Sequence, residues 1–92
     1  MPFFAVTYAY SDDLSARDAV RPAHRQYLAS LDELVLSGPT DDDGALLVFE
    51  AADVPAVEAL LDADPFQLDG RVISSRTVVG WNPVLGRLQP SL

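Results

Sequence analysis

The segment Phe3-Phe4-Ala5-Val6-Thr7-Tyr8-Ala9-Tyr10 constrains the fold more than any other part of the chain. Its aromatic and β-branched residues read as a strand. Successive side chains of a strand point to opposite faces. Phe4, Val6, Tyr8 and Tyr10 therefore share one face, and Phe3, Ala5, Thr7 and Ala9 the other. Both faces are apolar or aromatic. The segment Ala45–Ala51 repeats the pattern, with Ala45, Leu47 and Phe49 on one side and Leu46 and Val48 on the other. Strands of this kind are buried on both faces, so the fold must supply cover to both sides of a sheet.

The rest of the chain supplies only part of that cover. Ser11-Asp12-Asp13 offers N-cap chemistry for a helical turn starting near Leu14. Pro22 is expected to open a new helix or kink an existing one, with the helix running to about Glu33. Leu34 to Ser37 is a short strand stopped by Gly38-Pro39. Thr40-Asp41-Asp42-Asp43-Gly44 is a turn whose carboxylates repel one another into solvent. Asp53 caps a second helix with Pro55 in its first turn, and Val54, Val57, Leu60 and Leu61 form its apolar face. That helix is expected to stop at Asp64-Pro65, because the residue before proline avoids helical angles. Val72 to Trp81 is the fourth strand, ended by Asn82-Pro83.

The order β-α-β-β-α-β over 92 residues predicts a single α+β domain. It is a ferredoxin-like protomer, a four-stranded antiparallel sheet with two helices on one face. Two helices leave the second face of the sheet uncovered. A homodimer with its sheets packed face to face answers this, because large exposed apolar patches are rare in monomers. The alternative is a monomer with a partly apolar open face.

Charge and composition narrow the functions available. Fourteen acidic residues oppose six basic ones, all arginine, for a net charge of −8. Such a chain repels nucleic-acid phosphates. It has no cysteine, hence no disulfide framework, thiol nucleophile or thiolate metal site. A single histidine leaves no multi-histidine metal site within one chain. The apolar runs are too short for a membrane span, and Met1-Pro2-Phe3-Phe4 lacks the basic start of a signal peptide. A cytoplasmic protein is the expectation. Neither a phosphate-binding glycine-rich loop nor a metal-ligand cluster is present, so no cofactor and no metal are expected.

The single histidine falls in an informative place. On a helical wheel of about 100° per residue, Leu28, Leu31 and Tyr27 lie near His24, while Gln26 and Glu33 lie opposite. His24 thus occupies the apolar stripe and should face the sheet. It is either a satisfied structural residue or a general acid or base lining a pocket. Asp64 is equally open to two readings. At the end of the second helix the macrodipole disfavours a carboxylate. Asp64 is either a turn former or an acceptor that orients His24, the arrangement that makes an imidazole an effective base.

These residues carry a resemblance. Tyr8-Ala9, Arg21-Pro22-Ala23-His24, Ser37-Gly38-Pro39 and Ala63-Asp64-Pro65-Phe66, in this order from about Phe3 to Trp81, make the chain similar to the YCII-related family. The resemblance implies a dimeric α+β barrel and a pocket holding a catalytic His–Asp pair, which by position is His24 and Asp64. Dimeric barrels of similar build include isomerases, dehalogenating enzymes and monooxygenases of small, often aromatic-derived compounds. The turn Asp41–Gly44 is shorter than the hairpin many members carry.

Further residues are candidates for contact with a small-molecule ligand. Arg17 and Arg21 are four apart and share a face. They either steer an anionic substrate or pair with Asp12, Asp13 or Asp18. Ser37 and Gly38 offer a hydroxyl and a backbone N–H, or simply form a turn. Tyr8, Tyr10, Phe66 and Trp81 suit either a pocket wall or core and dimer packing. The expectation is an enzyme that moves a proton to or from a small carbonyl, phenolic or lactone-like compound. The alternative is a non-catalytic ligand-binding or accessory dimer with a structural His–Asp pair.

Overall fold

The computed structural model describes all residues from Met1 to Leu92. Strand β1 (Phe3–Tyr10) leads to helix α1 (Leu14–Ala29), strand β2 (Leu34–Thr40), strand β3 (Gly44–Glu50), helix α2 (Val54–Asp62), a short helix α3 (Pro65–Asp69) and strand β4 (Ile73–Trp81). A 3₁₀ turn at Gln89–Ser91 lies in the tail. The four strands form one antiparallel sheet in the order β2-β3-β1-β4. This is the α+β, ferredoxin-like protomer of the dimeric α+β barrels. No helix is long and apolar enough to cross a membrane.

The alternation in β1 and β3 decides which face the helices take. Phe4, Val6 and Tyr8 of β1 and Leu47 and Phe49 of β3 turn inward. They form one core with Leu28 of α1 and Val57 and Leu61 of α2. Pairing of Phe4 with Phe49 and Val6 with Leu47 sets these side chains opposite one another. A smaller cluster of Ala16, Phe66 and Val72 ties α1, α3 and the approach to β4 together.

The other face of the sheet has no helix over it. Ala5, with Val79 and Val48 beside it and Leu36 beyond, forms an apolar row across all four strands. Leu36 is 66% exposed and Val79 56%. Leu46 and Trp81 lie nearly half exposed on the same face.

Three local expectations are corrected. First, α1 is one helix from Leu14 to Ala29 with Pro22 inside it, so of the two alternatives for Pro22 the opening of a new helix is the one overturned. Proline removes a hydrogen bond to the carbonyl four residues back. Here that carbonyl belongs to Asp18, an exposed residue, so the lost bond falls on the solvent side of the helix. Asp13 caps the helix by accepting from Ala16 N at 3.0 Å. Second, α1 ends at Ala29 rather than near Glu33. The Ser30 backbone N–H turns back to Tyr27 O at 3.1 Å, and the Glu33 carbonyl is taken by Glu50 N at 2.8 Å. Leu31 is therefore off the helix, though it still packs against the core. Third, β2 continues through Gly38-Pro39 to Thr40. It is an edge strand, where a proline forfeits no ladder bond.

Asp64-Pro65 does end α2, but the same dipeptide starts α3, a helix the sequence reading lacks. Asp64 is its N-cap and accepts from Phe66 N at 3.0 Å. Pro65 sits at the start of the helix, and Gly70 closes it in the left-handed region at φ 79°. Asp64 thus faces the favourable end of a helix, the reverse of the macrodipole reading above.

Candidate functional site

The site assembles at the meeting of α1, the start of α3 and the inner face of β1. His24 is 7% exposed and Asp64 0%. The His24 Nδ1 lies 2.7 Å from Asp64 Oδ1. A carboxylate only accepts, so Nδ1 carries a proton, and Nε2 is the nitrogen that can accept whenever the ring is neutral. Nε2 has no hydrogen-bond partner in the protein and is not sealed from solvent. The ring lines a cavity of about 520 Å³.

Three donors converge on the Asp64 carboxylate. His24 and the Phe66 backbone N–H both serve Oδ1, and the Tyr8 hydroxyl donates to Oδ2 at 3.0 Å. Burial, and then the adjacent Asp64 charge, push the Tyr8 hydroxyl well above its ordinary pKa, so it remains a donor. Tyr8 is 3% exposed and does not line the cavity. Expected in the ligand wall, it lies behind Asp64 as a support, because the alternation of β1 points it into the core beneath the carboxylate.

Phe66 fixes the imidazole from the other side. Its ring stacks on His24 with centroids 3.8 Å apart and planes 8° from parallel. Tyr10 meets the Phe66 edge at 5.6 Å, and the Arg17 guanidinium lies 4.5 Å from the Tyr10 ring centre. Burial raises the Tyr10 hydroxyl above its usual range, and the Arg17 charge works in the opposite direction.

Of the residues expected to meet a ligand, Arg17, Arg21, Ser37, Gly38 and Phe66 line this cavity together with His24. Both arginines lie within α1 rather than ahead of it. Arg21 pairs with Asp18 at 2.7 Å. Arg17 approaches Asp43 at 3.6 Å rather than the aspartates near it in sequence. Trp81 is on the open sheet face, away from the cavity. Arg25 and Asp43 are cavity residues that the sequence reading did not single out. The signal for Arg25 was present, since it follows Arg21 by the same four-residue spacing.

Arg76 also went unnoticed. It is the β4 partner of Tyr8 in the sheet register. Its guanidinium meets Glu58, Asp62 at 2.7 Å and Gln67 at 3.1 Å. Burial disfavours its charge, but the hydrogen bonds it donates to the two carboxylates outweigh that and raise its pKa. These contacts bind α2 and α3 to β4 on either side of Asp64. No group of His, Asp and Glu side chains is clustered as a metal site.

A buried His–Asp pair opening on a cavity between helix and sheet defines a compact α+β pocket protein. The YCII-related domain model matches residues 1–82, and the chain belongs to that family. Among solved structures it is similar to 5-chloro-2-hydroxyhydroquinone dehydrochlorinase (TftG) from Burkholderia phenoliruptrix AC1100, in complex with 2,5-dihydroxybenzoquinone. The two are 25% identical with a TM-score of 0.78, over 87% of this chain and 93% of that one. Protein Atu4242 from Agrobacterium tumefaciens is 16% identical with a TM-score of 0.55, over 91% of this chain and 94% of the other. A NIPSNAP domain protein from Burkholderia xenovorans is 15% identical with a TM-score of 0.51, over 91% and 95% respectively. These last two share the fold alone. No curated protein sequence matches the chain.

Proposed function

We propose that this protein is a small-molecule enzyme in which His24, held by Asp64, performs general acid–base chemistry on a small phenolic or enolic ring compound. One observation carries the reading: Nδ1 is tied to a buried carboxylate while Nε2 is left to a cavity large enough for such a ring. In the proposed step, Nε2 takes a hydroxyl proton and the freed electron pair moves into the ring to form a carbonyl. The imidazolium, stabilised by Asp64, then returns the proton to a ring carbon; where that carbon bears chlorine, a second hydroxyl gives up its proton, its electron pair forms the other carbonyl and the C–Cl bond breaks, so HCl leaves and a quinone forms without an external oxidant. The likeness to a dehydrochlorinase seen with a dihydroxybenzoquinone supports this substrate class. Arg17 and Arg21 would attract the ionised ring oxygens, and Ser37 and Gly38 would face a developing oxyanion. The working unit in this reading is a homodimer closed over the open sheet face.

The test uses 2,5-dihydroxybenzoquinone as a binding probe and chloride release from 5-chloro-2-hydroxyhydroquinone as turnover. Ring-proton exchange of hydroxyhydroquinone in deuterated water is the second chemical readout. The wild type should bind the quinone and catalyse at least one of the two reactions. The His24→Asn variant should bind but lose turnover by about 10²- to 10⁴-fold. Binding without either reaction in the wild type would overturn the enzyme reading and establish the ligand-binding alternative.

A further inference from the structure

The charge around the cavity runs against that of the chain. The cavity wall holds three arginines, Arg17, Arg21 and Arg25, and one carboxylate, Asp43. The lining side chains alone sum to +2, three cations less one anion, in a protein whose net charge is −8, with the Asp18 carboxylate on Arg21 and the Asp64 carboxylate behind His24 just outside that lining. The arginines stand at i, i+4 and i+8 along α1, so they rise up one side of the cavity in steps of about 6 Å. Like charges at this spacing destabilise a helix, and the protein offsets them unevenly. Arg21 has Asp18 at 2.7 Å. Arg25 forms no ion pair with any carboxylate, unlike Arg17 and Arg21 on the same face.

Arg17 is the only one of the three that is buried. It is 8% exposed, and its Nε is buried with no hydrogen-bond partner. Its Nη2 donates to the Ser11 carbonyl at 2.8 Å. Its Nη1 has only the Asp43 carboxylate, at 3.6 Å, too long for a hydrogen bond. Asp43 reaches that position from the tip of the β2–β3 turn with φ at 57°, a backbone region uncommon for residues other than glycine, asparagine and aspartate. Its carbonyl is anchored by Tyr10 N at 2.9 Å, but its side chain is 82% exposed. A loosely held carboxylate therefore stands where a ligand anion would stand.

We infer that the cavity is built for a doubly negative ligand. One anionic group displaces Asp43 from Arg17, and the other lies over Arg21 and Arg25 at the mouth. This rests on the reading of the cavity as the ligand site and extends it by fixing the ligand's charge. Three aromatic probes of similar frame separate charge from shape: terephthalate (−2), 4-(hydroxymethyl)benzoate (−1) and 1,4-benzenedimethanol (0). Binding is followed at low salt through the imidazole resonances of His24, unambiguous because the chain has one histidine.

Terephthalate should shift them saturably and bind about tenfold or more tightly than the monoanion, with the neutral diol weaker again and the preference shrinking as salt is added. Asp43→Asn, which keeps a residue tolerant of the left-handed backbone, should tighten terephthalate by about three- to tenfold. The double variant R21Q/R25Q should bring terephthalate and the monoanion to similar affinity. Equal shifts from all three probes would overturn the dianion inference while leaving the cavity as the ligand site. No saturable shift with terephthalate, or binding that leaves His24 unmoved, would overturn the dianion inference at this cavity outright. The catalytic reading fails separately, on the turnover of His24→Asn.

Discussion

His24 and Asp64 stand forty residues apart in sequence, and their Nδ1 and Oδ1 atoms lie 2.7 Å apart in the fold. The contact fixes which imidazole nitrogen is free, and several testable consequences stem from it. Asp64→Asn retains the shape but can present an N–H to Nδ1, which disfavours the tautomer with a free Nε2. In the proposed acid–base reaction this variant should lose kcat by about 10²-fold or more, with a smaller change in KM. Asp64→Ala should lose stability as well, by about 3 kcal/mol or more. It strands the Tyr8 hydroxyl, the Phe66 N–H and His24 without their acceptor. Urea denaturation of both variants separates the two effects.

Tyr8→Phe tests the support beneath the carboxylate. It leaves Asp64 Oδ2 without its donor in a buried setting, at a cost of about 1–3 kcal/mol. It should also change the alkaline limb of stability. Burial and the Asp64 charge raise the native pKa of Tyr8 above its ordinary value. Below about pH 10 both native and unfolded chains hold the proton, and the contribution is complete. Above it the unfolded chain ionises first, so native stability falls as pH rises, by up to about 1.4 kcal/mol per pH unit for this group. The variant should show a shallower decline between pH 10 and 11.5 than the wild type by about that amount, after allowance for the other tyrosines.

Gly44→Ala tests how the Asp43 turn is seated. A Cβ at Gly44 would fall on the Tyr8 carbonyl oxygen, a backbone atom, and within 3.0 Å of Thr40 Oγ1. The β1–β3 pairing at Ala9 and Gly44 cannot persist unchanged. The expected loss is about 1–3 kcal/mol, read as a lower thermal midpoint. In contrast, Gly38→Ala meets nothing within 4 Å and should remain within about 0.5 kcal/mol of wild type.

The exposed row on the open sheet face tests the proposed dimer. Val79→Glu and Leu46→Glu place charges on a face that carries Leu36, Val48 and Trp81. If two sheets pack there, either variant should convert a species of about 20 kDa, twice the 9.9 kDa chain, to a monomer while retaining its circular dichroism. A wild type of 10 kDa mass at micromolar concentration would exclude the homodimer under those conditions.

Much of this architecture was legible in the residues. The two-sided strands at Phe3–Tyr10 and Ala45–Ala51, the caps at Asp13 and Asp53 and the element order all carry strong local signals. So did the inward direction of His24, because Leu28 and Tyr27 flank it one turn away. The length of α1 was not legible, because Pro22 is tolerated only where the carbonyl it orphans can reach water. Nor was α3, because Asp-Pro serves equally well to stop one helix and to start another. Arg76 was missed because its partners come from α2 and α3, and only the register of β4 brings them together.

The sequence by itself determined the alternation that assigns Phe4, Val6 and Tyr8 to the core, the presence of a single histidine and no cysteine, and the excess of acid that sets the overall charge. Those are properties of residue type and spacing, and they need no distant partner. Only the tertiary structure decided that Asp64 faces a helix start, that Tyr8 supports it from below, that Arg25 joins Arg17 at the cavity and that Asp43 arrives from the far hairpin. The Tyr8 and Asp43 contacts join groups far apart in the chain, whose meeting is set by sheet register and helix docking, while the other two depend on how short-range choices are resolved when the helices dock.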